Sequence, residues 1–183
     1  MTSLLRFEQA TLRRGGRLLF EKLDLALGPG DALQVSGPNG SGKSSLIRLA
    51  AGLLSSERGR IERSTLALAD DKLALDRELP LRRALRFWAC DVDDAMQALT
   101  IMHLADVPVR LLSSGQAKRA TLARVAASGA PLWLLDEPLN ALDSEGAEGL
   151  ERMIAAHRER GGAVLAASHQ PLAGQWRKLE LGT

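Results

Sequence analysis

The sequence has no tyrosine, three phenylalanines, three tryptophans and one cysteine, Cys90, among its 183 residues. One cysteine excludes an internal disulfide and any metal site built from several thiolates. We interpret Cys90 as a small core residue. A strong charge of one sign is also missing, because the formal net charge is +2. This small charge argues against a nucleic-acid-binding surface and hence against a nucleic-acid partner.

Long apolar runs are absent as well. No stretch approaches the roughly 18 apolar residues that a membrane-spanning helix needs, and the beginning of the chain, with Arg6 and Glu8, lacks the apolar segment of a secretory signal. We therefore expect a cytoplasmic protein whose membrane-spanning partners, if it has any, are separate polypeptides. The composition, 45% hydrophobic and 25% charged residues, is that of one folded domain.

Strand and helix patterns alternate along the chain. The stretch from Leu4 to Asp31 predicts short antiparallel strands, with a turn at Gly15-Gly16. Apolar strands at 32–36, 132–135 and 163–167 alternate with helices, which is typical of a parallel sheet covered on both faces. Helical periodicity from 77 to 105 predicts a small helical subdomain, and we interpret its Phe87 and Trp88 as core residues.

A glycine-rich segment joins the first of these apolar strands to a helix. It matches G-x-x-x-x-G-K-[ST], the phosphate-binding loop, in the strand–loop–helix context that this motif requires. Lys43 is expected to contact the β- and γ-phosphates and Ser44 to bind Mg²⁺. The predicted nucleotide-binding residues here are Gly37, Pro38, Asn39, Gly40, Ser41, Gly42, Lys43, Ser44 and Ser45.

Two carboxylates end the apolar strand at 132–135. Asp136 is placed to hold Mg²⁺. The adjacent Glu137 is the better general base, because polarising a water requires a carboxylate that the metal does not already use. An alternative is that both residues only open a turn before Pro138. These features alone do not separate a kinase, a GTPase, a helicase and a transporter ATPase.

Three further segments resemble the motifs of the ABC ATPase family. Leu112-Ser113-Ser114-Gly115-Gln116 resembles its signature loop L-S-G-G-Q, Asn140-Ala141-Leu142-Asp143 resembles its D-loop, and His169 matches its switch histidine. The resemblance implies an α/β fold of the P-loop NTPase (RecA-like) type. Its mostly parallel sheet core would carry an antiparallel β-subdomain and a small α-helical subdomain at about 76–115, in one nucleotide-binding domain over residues 1–183.

The same resemblance implies a shared active site. In that family two chains form a head-to-tail homodimer, and the residues at the positions of Ser113, Gly115 and Gln116 bind the ATP held on the partner's phosphate-binding loop. The position of Asp143 joins the two sites, and that of His169 contacts the γ-phosphate or the attacking water. The implied catalytic residues are Glu137, His169 and Lys43, the cofactors are ATP and Mg²⁺, and the partners are integral-membrane transporter subunits.

Three departures from the family pattern stand out. Ser114 replaces a signature glycine. No aromatic residue lies between Leu12 and Arg17, where relatives stack a tyrosine on adenine, so we expect Arg13 or Arg14 to stack instead. The Q-loop region at 69–72 contains no glutamine, and Asp70 or Asp71 is a candidate replacement through oxygen coordination, with Asp71 as the metal candidate. Alternatively, these aspartates form a solvated turn.

Within the family, the chain resembles the ATP-binding subunit of the haem exporter of cytochrome c maturation. The segment Arg86-Phe87-Trp88-Ala89 after Glu78-Leu79-Pro80, the signature variant and the missing tyrosine carry this likeness. It implies haem delivery driven from the cytoplasmic face of a bacterial inner membrane, with no direct contact to haem expected. Three alternatives stay open: the ATPase of another ABC importer or exporter, a soluble ABC protein of repair or translation, and a non-hydrolysing regulatory subunit.

Overall fold

The computed structural model describes residues 3–182 and contains two sheets and five α-helices among them. The strands are β1 (Leu5–Arg14), β2 (Arg17–Leu27), β3 (Ala32–Ser36), β4 (Arg58–Arg63), β5 (Leu66–Ala69), β6 (Leu132–Asp136), β7 (Ala163–Ala167) and β8 (Arg177–Glu180). The helices are α1 (Lys43–Ala50), α2 (Leu81–Arg86), α3 (Asp93–Ala98), α4 (Ser114–Ala127) and α5 (Ser144–Glu159). Two 3₁₀ turns, at Met102–Leu104 and Val109–Leu111, lie between α3 and α4.

A five-stranded parallel sheet, in the order β5-β6-β7-β3-β8, forms the centre of the fold. Alternate residues of a strand point to opposite faces of its sheet, and both faces are covered here. On β6, Leu132 and Leu134 pack with α1 and the antiparallel sheet, whereas Trp133 and Leu135 pack with the helical side. This two-sided burial explains why β6 and β7 are apolar without alternation.

A smaller antiparallel sheet, in the order β2-β1-β4, packs against one face of the parallel sheet. The pairing of Arg14 with Arg17 places the hairpin turn at Gly15-Gly16, as the sequence predicts. The third strand, β4, comes from the segment after α1 and was not predicted. The predicted fold class, with a mostly parallel core and an antiparallel subdomain, is confirmed.

The region between β5 and α4 is helical, as predicted, but two expectations about it are wrong. Phe87 is 83% exposed and Trp88 is 42% exposed. The reason is that α2 ends at Arg86, so the helical spacing that buries Leu81 and Leu85 does not continue to these aromatic residues. Cys90 is also exposed, because it lies in the connection between α2 and α3 rather than in the core.

None of the helices described between residues 3 and 182 is both long enough and apolar enough to cross a membrane.

Candidate nucleotide-binding site

The phosphate-binding loop connects β3 to α1, at the carboxyl edge of the parallel sheet. Gly42 precedes the first residue of α1 with φ of 106°, a conformation that a residue with a side chain rarely adopts. The Lys43 ammonium donates hydrogen bonds to the carbonyl oxygens of Gly37 at 2.8 Å and Pro38 at 3.1 Å. The Lys43 side chain therefore folds back over the phosphate-binding loop. Its charge lies next to the place where phosphates would bind.

Ser44 and Asp136 meet although they are far apart in sequence. The Ser44 hydroxyl donates a hydrogen bond to Oδ1 of Asp136 at 2.9 Å. Asp136 is the last residue of β6 and is buried. Burial raises the pKa of this carboxyl, and the hydrogen bond from Ser44 opposes that rise. A hydroxyl and a carboxylate are oxygen donors of the kind that Mg²⁺ prefers, so this pair fits the ion.

No group of three or more acidic, histidine or cysteine side chains within residues 3–182 could hold a metal ion by itself. This agrees with the way Mg²⁺ usually binds in nucleotide sites, through one or two side chains together with water and phosphate oxygens. The further candidate, Asp71, is largely exposed and pairs with Arg48 at 3.6 Å. Bound Mg²⁺ would supply positive charge against the phosphate oxygens.

Glu137 and His169 come together at the ends of neighbouring strands. The Nδ1 atom of His169, two residues after β7, lies 2.8 Å from Oε2 of Glu137. The backbone of Glu137 is left-handed, with φ of 46°, which costs on the order of 1–3 kcal/mol for a residue other than glycine. Its N–H donates to the carbonyl oxygen of Ala167 at 2.8 Å, and this bond helps to hold the strained conformation.

A cleft of about 670 Å³ is lined by the phosphate-binding loop together with Glu137 and His169. Its remaining wall includes Arg14 and Leu19 and has no aromatic side chain. Of the two arginines predicted to stack on a base, Arg14 lines this cleft, whereas Arg13 pairs with Glu57 at 3.5 Å. The position of Leu19 in this wall was not predicted, because a leucine on an amphipathic strand looks like an ordinary core residue.

The signature-like segment begins α4. The Ser113 hydroxyl accepts a hydrogen bond from the Gln116 N–H at 3.3 Å, and the Gln116 side chain accepts one from the Ser113 N–H at 2.9 Å. This reciprocal capping explains why the helix begins at this point in the sequence. Ser113, Gly115 and Gln116 line a separate cleft of about 280 Å³. The structure therefore does not bring them into the cleft that contains Lys43.

Asp143 lies in the same cleft as the signature-like segment and caps α5. Its Oδ1 accepts a hydrogen bond from the Gly146 N–H at 2.9 Å. That bond, followed by the Arg119 guanidinium, lowers the pKa of the Asp143 carboxyl. Arg119 also donates to the Leu99 carbonyl oxygen at 2.9 Å. This buried arginine joins α4, the start of α5 and the helical region, and sequence reasoning missed it.

Comparison with known proteins agrees with this geometry. Residues 20–140 match the ABC transporter family. The chain is 56% identical over 181 residues to the cytochrome c biogenesis ATP-binding export protein CcmA of Sphingopyxis alaskensis, covering 94% of this chain and 93% of that protein. The chain belongs to the ABC transporter family, in its CcmA group. It is an ABC-type ATPase, and as an ABC transporter subunit it associates with membrane transporter subunits.

Another member of the group and two solved structures are also similar to this chain. The CcmA of Pseudomonas putida is 39% identical over 206 residues, covering the whole of this chain and 98% of that protein. The solved ATP-binding subunit of an ABC transporter superposes with a TM-score of 0.83 at 20% identity, covering 91% of this chain and 79% of that one. For cbiO1 of Clostridium perfringens the TM-score is 0.76 at 23% identity, covering 92% and 79%. These structures show the fold alone.

Gly115 of this ABC ATPase packs against the D-loop. A Cβ atom on Gly115 would lie 2.8 Å from the carbonyl oxygen of Ala141, a backbone atom that a neighbouring side-chain rotation cannot move. We expect Gly115→Ala to displace one of the two loops and to lower ATP turnover by about tenfold, because small misplacements of catalytic groups have large effects on rate. Phosphate release at saturating ATP measures this.

The matched control for this prediction is Gly28→Ala. Gly28 lies outside the site, and the nearest atom to an added Cβ would be an Asp31 oxygen at 3.9 Å. Turnover of the Gly115→Ala variant equal to that of the Gly28→Ala variant would contradict the predicted clash.

Proposed function

We propose that this ABC ATPase works as a head-to-tail homodimer in which each ATP binds between the phosphate-binding loop of one chain and the signature loop of the other. The observation that carries the proposal is that Lys43 and Ser113 line different clefts of the same chain. A γ-phosphate on the Lys43 side therefore lacks the signature contacts until a second chain supplies them. Ser113, Gly115 and Gln116 would supply these contacts, at the positive end of α4.

The roles of the site residues follow from their positions. Lys43 would bind the β- and γ-phosphates, and Ser44 and Asp136 would hold Mg²⁺. Glu137 would accept a proton from the attacking water, and His169 would orient that carboxylate through the bond at 2.8 Å. Asp143 faces the signature cleft and would connect the two sites of the dimer.

Arg14 and Leu19, in the wall of the cleft that contains Lys43, are expected to give weak discrimination between adenine and guanine nucleotides. No phenylalanine or tryptophan is among the described residues that line this cleft. Discrimination between bases is strong where buried polar groups of the site are matched to one base. We expect kcat/KM values for ATP and GTP within about fivefold of each other. Parallel phosphate-release assays with the two nucleotides measure this, and a strong preference for ATP would contradict it.

An exposed aromatic pair is the proposed contact with the membrane subunits. The pair belongs to the proposed helical subdomain, about residues 76–115, of a single nucleotide-binding domain that we propose covers residues 1–183. Phe87 and Trp88 pack edge to face at 5.5 Å, and the guanidinium carbon of Arg124 lies 4.8 Å from the centre of the Trp88 ring. Arg124 donates in turn to the Leu68 carbonyl oxygen at 2.5 Å, on the strand that precedes Asp70 and Asp71. A membrane subunit that binds at Trp88 would thus be connected, through Arg124, to the Q-loop region.

Replacing Phe87 with serine tests this docking face. We expect at least about fivefold less of the variant to co-purify with the co-expressed membrane subunits, because exposed aromatic residues commonly dominate such interfaces. Leu53→Ser is the control, since Leu53 is also well exposed, at 61%, but lies just after α1. Equal recovery of both variants would place the interface elsewhere.

The cargo step is proposed from the relatives. Their name describes an ATP-binding export protein of cytochrome c biogenesis, and we propose that this chain drives the haem-delivery step of that process from the cytoplasmic face of a bacterial inner membrane. The test is complementation of a strain that lacks its own CcmA. Wild type should restore haem-stained c-type cytochromes, whereas Glu137→Gln should not. Restoration by both proteins would show that hydrolysis is not required.

A further inference from the structure

A lysine from the signature helix enters a further cleft of the same chain, one that Ser44 and Asp136 also line. Lys118 lies on α4, two residues after Gln116, and its side chain is partly buried. Its ammonium group donates a hydrogen bond to the backbone carbonyl oxygen of Asp136 at 3.3 Å. The helix that begins with the signature loop is therefore attached directly to the end of β6, where the catalytic carboxylates lie.

The cleft around this ammonium group is about 490 Å³ in volume and contains several charges. Asp70, Asp71, Asp136 and Glu137 line it, together with Lys118 and Arg48. Arg48 pairs with Asp71 at 3.6 Å. Arg48 and Lys118 both act electrostatically on Asp136, and among the acidic groups around Lys118 the largest effects on it come from Asp136 and Glu137. Burial lowers the pKa of Lys118, and these carboxylates oppose the change.

We propose that Lys118 is a positioning residue of the hydrolytic site: it holds the carboxylates of Asp136 and Glu137 towards the cleft and limits how tightly the cleft binds a divalent cation. The inference rests on the proposed binding of Mg²⁺ by Ser44 and Asp136. The ammonium lies 3.3 Å from the main-chain oxygen of Asp136, in the cleft that Ser44 and Asp136 also line, and a positive charge there repels a divalent ion. The same charge offsets the mutual repulsion of acidic side chains that would otherwise turn away from one another.

Two opposite effects are expected when this charge is removed. Lys118→Met keeps the length and apolar stem of the side chain, so metal binding should become about three- to tenfold tighter because the repulsion is lost. Turnover at saturating metal should fall about tenfold, because the bond that ties α4 to the main chain of Asp136, next to Glu137, is lost. A side chain that only filled space would produce neither a tighter metal site nor this split between metal affinity and kcat.

The experiment measures Mn²⁺ binding in the presence of a non-hydrolysable ATP analogue, from the electron paramagnetic resonance signal of free Mn²⁺. Wild type, Lys118→Met and Lys118→Arg are compared, with Lys178→Met as the control because Lys178 is exposed on β8, away from the cleft. Lys118→Arg, which keeps the charge, should stay within about threefold of wild type in both metal affinity and kcat, as should the control.

Each outcome decides the proposal. Tighter Mn²⁺ binding by Lys118→Met alone, at a melting temperature close to that of wild type, supports it. Unchanged or weaker binding by Lys118→Met overturns it, and so does an equal change in Lys118→Arg. If Lys118→Met does not fold, a Lys118→Arg variant that shows tighter metal binding or lost turnover overturns the proposal, and one that retains both values supports it. Absence of Mn²⁺ binding by wild type would overturn the proposed function as well, so the two failures are distinguishable.

Discussion

Replacing Glu137 with glutamine is expected to slow ATP turnover by about 10²- to 10⁴-fold, the usual contribution of a positioned general base. The amide has the shape of the carboxylate and can still bond to His169, which lies 2.8 Å from Oε2, but it cannot accept the proton of the attacking water. We therefore expect nucleotide affinity to stay within about threefold of wild type. Phosphate release and fluorescent-nucleotide titration measure the two quantities separately.

The control for this variant is Glu148→Gln, on the exposed face of α5. Its turnover should match that of wild type, since Glu148 makes only a weak surface contact with Arg152 at 3.8 Å. A Glu137→Gln protein that hydrolyses ATP at a rate near that of the control would contradict the proposed role of Glu137 as the general base.

Replacing Lys43 with methionine is expected to weaken ATP binding by about 10- to 100-fold. The ammonium is a charged donor of the phosphate-binding loop and lines its cleft, and a hydrogen bond to a charged group contributes about 1.5–3 kcal/mol. In the free protein it donates to the carbonyl oxygens of Gly37 and Pro38 at 2.8 and 3.1 Å, so the variant also loses the bonds that shape the loop. Isothermal calorimetry with ATP measures the change.

Two comparisons make this result specific. Lys178→Met should bind ATP like wild type, because Lys178 is exposed on β8. Thermal melting of the nucleotide-free proteins shows whether Lys43→Met has kept its fold. A folded Lys43→Met protein with unchanged ATP affinity would exclude a phosphate contact for this lysine.

The parallel core and the main site segments could be predicted because each has a local signature. The apolar strands β3, β6 and β7 stand out from their surroundings, and the phosphate-binding loop is contiguous. In contrast, β4 reads Arg-Gly-Arg-Ile-Glu-Arg and only Ile61 in it is partly buried. An exposed edge strand of this kind is specified by its pairing with β1, which no local pattern reveals.

The contacts that organise the site were harder to foresee. Lys118, Arg119 and Arg124 lie on one helix and look like solvent-facing charges in the sequence, yet each reaches a different distant element. Phe87 and Trp88 continue the apolar spacing of α2 in the sequence, but the helix itself ends at Arg86. Such features depend on where a helix ends and on what packs beside it, which are properties of the tertiary structure.

The most direct test of the shared site is ATP turnover per chain, measured over about two decades of protein concentration with and without added membrane subunits. We predict that turnover per chain rises with concentration in the absence of membrane subunits, because each site is complete only when a second chain supplies Ser113 and Gly115. Light scattering should then show an ATP-dependent dimer of the Glu137→Gln variant. Turnover per chain that stays constant down to concentrations at which the protein is monomeric would contradict the shared site.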